Sequence, residues 1–368
     1  MHLFNIASFA LLGLPLVASS PLQARDELQS LNDQAVAALQ ARCNTTGCNI
    51  SNARVRRDWV AFSSNEKTDY ISAMNCFMAL PSIADTSFAP GARTRYDDFV
   101  AGNFLTWHRY FLSSFEAALA EECGYTDTQP YWNWLADHDS LQESAYFDGS
   151  NTSFGGDGYF VQHNGSLVSL GKVHIPSGTG GGCVTSGPFT DYVINLGPVT
   201  PTMDGLNASS SALAYNPHCM IRDLNSYVAN EWLTLEKLLN ITVGDASGSI
   251  ALFQNELQGR FGDGFLGLHT AGHNTMGGTS GDLFASPVDP MFWLHHGMVD
   301  RVYWIWQALH LDQADTTAGT LTINNSPASR NTTVDDVVDL SVNVNAVPRP
   351  ISSLLDTLSG DPFCYIYL

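Results

Sequence analysis

The chain has 368 residues, of which 14% are charged and 11% aromatic, so it carries enough apolar material to bury a large core. Its formal net charge of −20 argues against nucleic acid or an anionic membrane as a partner, because both require surfaces rich in lysine and arginine. No proline-, glycine- or serine-rich linker divides the sequence, which predicts one main domain with long loops.

The first twenty residues predict a secretory signal peptide. Leu3 to Val17 form a short apolar run that ends in the small residues Ala18-Ser-Ser20. The run is too short for a transmembrane helix, so the expected location is secreted and extracellular. We assign residues 21–39 to an N-terminal segment, with a short propeptide ending near Arg25 left open, and residues 40–368 to the main domain.

Sequons and cysteines agree with an oxidising, extracellular compartment. Seven cysteines should mostly pair, and the preferred bridges are Cys76 with Cys123 and Cys183 with Cys219, because these flank predicted helices and a long loop. The partner of the odd cysteine is left open. Eight sequons predict a glycoprotein; they lie at Asn44, Asn49, Asn151, Asn164, Asn207, Asn240, Asn324 and Asn331.

Apolar periodicity predicts a mainly α protein. The expected helices span residues 26–41, 52–62, 66–80, 106–122, 220–239 and 290–309. Short peripheral strands are expected at residues 320–324 and 340–344. A glycine run at residues 177–182 lacks the lysine and the following helix of a phosphate-binding loop, so we interpret it as a plain loop.

Three histidines in two neighbouring segments predict a metal site. His269 and His273 are four residues apart and share one face of a helix, while His296 stands in a second, strongly apolar helix. Imidazole ligands alone suit copper, zinc, iron or nickel. The pair is poor evidence for a zinc protease, because Thr270 stands where such an enzyme carries its glutamate base.

Residues 289–300, Asp-Pro-Met-Phe-Trp-Leu-His-His-Gly-Met-Val-Asp, resemble the second copper-binding signature of the tyrosinase, catechol oxidase and hemocyanin family. In that family two coppers bind dioxygen, and three histidines hold each copper inside a four-helix bundle with long irregular loops. The resemblance implies that His269, His273 and His296 bind the second copper. It prefers His296 over His295 because the family's ligand lies four residues before an aspartate, here Asp300. His295 is then a neighbour that orients groups around the ligands.

Residues 103–116 resemble the end of the family's first copper-binding signature. The resemblance makes His108 the third ligand of the first copper. It also places Arg109 and Glu116 in a buried ion pair or hydrogen-bond network that fixes their helix. Residues 129–134, Gln-Pro-Tyr-Trp-Asn-Trp, are similar to the family's Pro-Tyr-Trp-Asp-Trp element, with Asn133 keeping a hydrogen-bond acceptor in place of the aspartate.

Three further residues acquire substrate-side roles by this resemblance. Thr270 and Asn274, each directly after a ligand, would lie near an incoming phenol, and Leu283 would stand at the gate above the second copper. The alternatives of a helix-face threonine, a solvated asparagine and a core leucine stay open. Longer family members carry a C-terminal domain that covers the active site, whereas this chain resembles the short fungal form.

The chain departs from the family in the first copper site. Counting from Tyr96 places the first ligand at Asn103, and counting back from His108 places the second at Phe99, so about a dozen residues carrying two histidines are missing. Either an in-frame block was lost in gene prediction or splicing, or the deletion is real. We favour the first explanation because His108 keeps the family's Trp107 and Arg109 beside it.

The resemblance implies a copper-dependent oxidoreductase that uses dioxygen to oxidise small phenolic substrates, o-diphenols, to o-quinones. The alternative is a catalytically inactive secreted protein that binds a single copper, because the first site is incomplete. Oxidation of monophenols, the natural substrate and the oligomeric state are left open.

Overall fold

The computed structural model describes residues 21–41, 47–99, 105–136, 138–169, 171–322, 325–341 and 344–368. Its helices are α1 Pro21–Gln40, α2 Ser64–Ala79, α3 Thr106–Cys123, α4 Ser226–Trp232, α5 Leu235–Thr242, α6 Ile250–Gln258, α7 Gly267–Met276 and α8 Met291–Leu309. Its strands are β1 Arg54–Arg56, β2 Gly158–Phe160, β3 Ser166–Val168, β4 Val173–Ile175, β5 Gly181–Val184, β6 Val337–Val338, β7 Arg349–Pro350 and β8 Tyr365–Tyr367.

The predicted mainly α fold with small peripheral strands is confirmed. Helix α3 packs against α2 and α8, and α7 packs against α8. Helix α8 is buried from Met291 to Ala308, and its few polar side chains, such as His296 and Asp300, are buried with the apolar ones. The strands form four two-stranded sheets, β1 with β8, β2 with β5, β3 with β4 and β6 with β7. Within the described ranges, no helix is both long enough and apolar enough to cross a membrane.

Helix α1 belongs to the same core as the rest of the domain. It packs along α8 and buries Ala24, Leu28, Leu31 and Ala35. Asn32 is fully buried, and its Nδ2 donates a hydrogen bond to the backbone carbonyl of residue 367 at 2.9 Å. Apolar burial and this polar contact therefore tie the N-terminal segment to the C-terminal strand.

The helix predicted at residues 52–62 is wrong. Residues 54–56 form β1, which pairs in parallel with β8 at the other end of the chain. A 3-10 turn, Trp59–Ala61, follows and is capped by the Asp58 side chain. The competing strand partner lies about three hundred residues away, so local periodicity carries no trace of it.

The helix predicted at residues 220–239 is replaced by two shorter ones. The Asn225 side chain accepts a hydrogen bond from the Val228 backbone and begins α4. The Thr234 side chain accepts one from the Lys237 backbone and begins α5. These two caps are local sequence signals that break the continuous helix.

The strands predicted at residues 320–324 and 340–344 are also wrong where the chain is described. Thr320 makes only an isolated bridge to Asn331. Ser341 has φ 71°, in the left-handed region that interrupts an extended strand. The short β6 and β7 pair with each other at Val337–Val338 and Arg349–Pro350.

Three disulfides hold the described part of the chain. The predicted bridges Cys76–Cys123 and Cys183–Cys219 are confirmed. A third joins Cys48 to Cys364, which directly precedes β8. The seventh cysteine, Cys43, and the sequons at Asn44 and Asn324 lie outside the described residues, as does the predicted signal peptide.

Removing the third bridge with the double change Cys48→Ser and Cys364→Ser is expected to lower the free energy of unfolding by about 2–4 kcal/mol, because the bridge restricts the unfolded chain. It links residues 316 apart, whereas Cys183 and Cys219 are 36 apart. Urea unfolding of the two double-serine variants checks this. A smaller loss for the terminal bridge than for Cys183–Cys219 would contradict the expectation.

Candidate metal centre

Three histidines from α7 and α8 converge on one point. Nε2 of His273 lies 3.2 Å from Nε2 of His269 and 3.2 Å from Nε2 of His296. An ion bound at about 2.0–2.1 Å from each nitrogen in tetrahedral geometry would separate the nitrogens by about 3.3 Å. These two distances, with the third pair within 4.8 Å, are compatible with a single metal ion held by three imidazoles.

The backbone of α7 places two of these histidines. Gly267 begins the helix with φ +69°, where an added Cβ would lie 2.6 Å from backbone atoms of residues 256, 257 and 259. Gly277 ends it with φ +63°. Between these glycines, His269 and His273 stand one turn apart on the face toward α8.

His269 and His296 are buried and His273 is partly buried, and their surroundings favour uncharged imidazoles. Burial lowers the pKa of His273 to about 4, against a smaller opposing effect of Ser280 and Asp289. Burial, followed by neighbouring imidazoles, lowers the pKa of His269 and His296 well below the ordinary value. Neutral imidazoles keep a lone pair for a metal, and an all-nitrogen set suits copper.

His295 adds a fourth imidazole to the cluster. The possible ligand atoms of His269, His273, His295 and His296 all lie within 4.8 Å of one another. Nδ1 of His295 accepts a hydrogen bond from the indole nitrogen of Trp134 at 3.0 Å. His295 is therefore beside the site and differs from the other three in its hydrogen bonding.

His108 reaches the same centre from α3. Its ring stacks on that of His296 with centroids 4.1 Å apart, and its centroid lies 6.2 Å from that of His269. Burial, with a smaller effect of His273, lowers the pKa of His108 to about 3. The structure thus brings His108, the histidine that the resemblance assigns to the first copper, next to the cluster of α7 and α8.

The other two first-copper ligands have no counterpart. The sequence contains no histidine between His2 and His108. Phe99, one of the two extrapolated ligand positions, is fully buried and packs edge-on against Phe77 and Phe115. The other position, Asn103, lies outside the described residues.

The remaining described histidines bond to groups outside the cluster; these are His138, His163, His174, His218 and His310. The polar, glycine-containing loop sequence around His163 predicts a surface residue, and that prediction is wrong. Its side chain is 4% exposed, and its Nε2 lies 3.3 Å from a carboxylate oxygen of Asp223. Residues from other segments, Asp223 and Gly181, lie against this side chain, and loop composition does not record them.

Asp300 is the hub of a buried charge network below the ligands. Nε of Arg109 donates to its Oδ1 at 2.6 Å, and Nη1 of Arg56 lies 3.3 Å from its Oδ2. The hydroxyls of Tyr365 and Tyr367 donate to the same Oδ2 at 2.6 and 2.7 Å. Because Asp300 lies one helical turn after His296, the network fixes the ligand helix against α3 and β8.

Arg109 and Glu116 occupy this network without pairing with each other. Glu116 accepts from Nη2 of Arg56 at 2.5 Å and lies 3.1 Å from Nη1 of Arg54. Arg109 also donates to the backbone carbonyl of Leu355 at 2.8 Å. Helix α3 is thus joined to β1 through Glu116 and to α8 through Arg109.

Asn133 and Thr270 have structural hydrogen bonds. Oδ1 of Asn133 accepts from the Leu135 backbone at 3.1 Å, so the side chain supplies the acceptor expected of it. The hydroxyl of Thr270 donates to the Gln258 carbonyl at 2.7 Å, which anchors α7 to α6. That contact occupies the only hydrogen that the hydroxyl can donate.

Asn274 is buried, whereas Leu283 lies largely exposed. Asn274 donates from its Nδ2 to the Thr270 carbonyl at 2.8 Å, and its Oδ1 has no hydrogen-bond partner among the described residues. Leu283 is 53% exposed, and its backbone N–H donates to the Thr200 hydroxyl at 3.2 Å. An unsatisfied buried acceptor is costly and is typical of functional sites.

Sequence reasoning missed three residues that support the centre. Arg56 lies in the segment wrongly predicted as helix, so its buried position was hidden. Tyr367 lies near the end of the chain, and no spacing signal links it to Asp300, to which it donates beside Tyr365. Trp134 belongs to the family-like element at residues 129–134, but no sequence spacing links it to His295.

Comparisons with known proteins agree with this geometry. The family described as the common central domain of tyrosinase matches residues 92–309. The chain is 37% identical over 338 residues to Tyrosinase P of Aspergillus terreus, covering 85% of this chain and 91% of the relative. It is 34% identical over 373 residues to the N-acetyl-6-hydroxytryptophan oxidase ivoB of Emericella nidulans, covering 92% and 99%.

A solved structure extends the likeness to the whole fold. The polyphenol oxidase of Thermothelomyces thermophila, solved as a point mutant, superposes with a TM-score of 0.85 at 33% identity, covering 93% of this chain and 98% of the other. With the histidine cluster in place and the family match spanning more than half of the sequence, the chain belongs to the tyrosinase family.

Proposed function

We propose that this chain is a secreted copper-dependent oxidoreductase that oxidises o-diphenols to o-quinones with dioxygen. The observation that carries the proposal is the convergence of three neutral imidazole nitrogens from His269, His273 and His296. In the balanced reaction, two o-diphenols each lose two electrons and two protons, and one dioxygen is reduced to two waters. Bound copper would supply dioxygen binding and electron transfer.

The protein residues would hold the copper and orient the groups around it. His269, His273 and His296 would bind one copper. The hydrogen bonds and ion pairs of Asp300 would fix the position of α8 relative to that copper. Asn274 offers a buried acceptor beside His273 that can receive a hydrogen bond from a phenol hydroxyl or a water. We assign Thr270 to anchoring α7, because its hydroxyl hydrogen is already donated to Gln258.

A second candidate function follows from the first copper site. The sequence lacks any histidine between His2 and His108, so the chain as it stands supplies one of the three expected first-copper ligands. This observation favours a secreted protein that holds one copper and has no oxidase activity. Three disulfides suit the oxidising compartment that both candidates assume.

Copper content and oxygen uptake distinguish the two candidates. Protein reconstituted with copper is analysed for metal per chain and for oxygen consumption with catechol. Two coppers with quinone formation support the oxidase; one copper without oxygen uptake supports the second candidate, and no copper contradicts both. Transcript sequence across the codons for residues 100–103 shows whether an in-frame insert with two histidines restores the first site.

The gate role of Leu283 makes a separate prediction. Its side chain is 53% exposed, so Leu283→Gly should remove bulk without opening the core. We expect kcat/KM for 4-tert-butylcatechol to rise several-fold relative to catechol, because the wider opening admits the larger ring. Leu311→Gly, at a leucine that is 43% exposed beyond the end of α8, is the matched control. An unchanged ratio in Leu283→Gly would remove the gate assignment.

A further inference from the structure

Four imidazoles surround the centre, although a catalytic copper needs a free coordination position. The possible ligand atoms of His295 lie within 4.8 Å of those of the other three histidines. Distance alone would therefore allow a four-nitrogen site. Cu(II) favours a tetragonal arrangement of four such ligands, which would occupy the position that a substrate or dioxygen requires.

The hydrogen bond from Trp134 removes His295 from this set. The indole nitrogen can only donate, so Nδ1 of His295 must accept at 3.0 Å. An imidazolium carries hydrogen on both nitrogens, and the tautomer protonated on Nδ1 cannot accept there. The bond therefore selects the neutral tautomer with hydrogen on Nε2, in which neither nitrogen has a lone pair available for metal.

Packing prevents the ring from escaping this arrangement. His295 and Trp134 are both fully buried. A Cβ added to Gly272 would lie 2.2 Å from Cε1 and 2.5 Å from Nδ1 of His295, so only glycine lets α7 approach the imidazole so closely. Nε2 of His295 makes no hydrogen bond of normal length among the described residues, although the backbone of His269 also interacts with the ring. The Trp134 bond is therefore the side-chain contact that sets the tautomer.

We propose that Trp134 is a positioning residue that holds His295 in the Nε2-protonated tautomer and so limits the copper to three imidazoles. One coordination position then stays open. The coordination half of this inference rests on the proposed copper function. The tautomer half stands on the hydrogen bond alone and can be tested without metal.

The first test uses the metal-free protein with ¹⁵N-labelled histidine. Long-range ¹H–¹⁵N spectra distinguish the two neutral tautomers, and the His295 signal is assigned by its loss in His295→Gln. We expect Nε2–H in the wild type and a loss of this preference in Trp134→Phe. The matched control is Trp132→Phe, because Trp132 is equally buried and its ring centroid lies 6.2 Å from that of His295. The control should keep the wild-type tautomer.

The second test counts nitrogen ligands by EPR after adding less than one Cu(II) per chain. We expect superhyperfine structure from three imidazole nitrogens in the wild type and from four in Trp134→Phe. A wild type with four nitrogens, or a Trp134→Phe protein that keeps three, would overturn the proposal. If Trp134→Phe does not fold, the spectrum of the wild type still tests the proposal. A hydrogen found on Nδ1 of His295 would overturn it. If the wild type shows the expected tautomer but binds no copper, the proposed copper function and the claim about three imidazole ligands are both overturned. The tautomer assignment would stand.

Discussion

Replacing His273 with glutamine is expected to abolish copper binding at the centre. Nε2 of His273 is the atom that lies 3.2 Å from both other ligand nitrogens, so its loss leaves two imidazoles that no longer surround an ion. A neutral amide oxygen is a poor ligand for copper compared with imidazole. We expect copper affinity to fall by more than about 100-fold, since even changes beyond the direct ligands cost 10–100-fold.

The measurement is copper per chain after dialysis, with a competition titration for the affinity. His174→Gln is the matched control, because its imidazole is exposed and bonds only to the Asn164 carbonyl among the contacts described. Near-UV circular dichroism verifies that both variants fold. Full copper retention in His273→Gln would show that the metal binds elsewhere.

Replacing Asp300 with asparagine is expected to destabilise the fold by about 3–5 kcal/mol, the usual cost of removing one partner from a buried ion pair. The change leaves the buried guanidinium groups of Arg109 and Arg56 without their carboxylate. It also takes an acceptor from Tyr365 and Tyr367. Urea unfolding gives the free energy, and the exposed Asp312→Asn, expected within about 0.5 kcal/mol of wild type, is the control.

The same variant should change the pH dependence of stability. Burial alone would raise the pKa of Asp300, but Arg109, Arg56 and the two tyrosine hydroxyls outweigh it and lower the pKa below the ordinary value. A lowered folded-state pKa gives stability that is present above the unfolded pKa of about 3.9 and is lost as pH falls toward the folded value. The stability difference between wild type and Asp300→Asn should therefore shrink between about pH 5 and pH 3. A constant difference across that range would contradict this account.

Local sequence patterns predicted the parts of the site that lie on single helices. The four-residue spacing of His269 and His273 requires only helical geometry, and α7 provides it. The apolar character of residues 290–309 likewise predicted a buried helix, and α8 is one. In both cases the evidence is contained within one or two turns of chain.

Contacts between distant segments were beyond local patterns. Arg56 belongs to a strand only because β8 is beside it, and no periodicity within residues 52–62 records that pairing. The bond from Trp134 to His295 spans 161 residues and depends on how the loop after α3 returns to α8. The burial of His163 has the same origin, because Asp223 from a distant segment lies against its side chain.

Anomalous diffraction at the copper absorption edge tests the central claim most directly. In crystals of copper-loaded protein, we predict an anomalous peak within about 2.0–2.1 Å of Nε2 of His269, His273 and His296, with neither nitrogen of His295 at bonding distance. A peak bonded to His295, or no peak between α7 and α8, would contradict the assignment of these three histidines as the copper ligands.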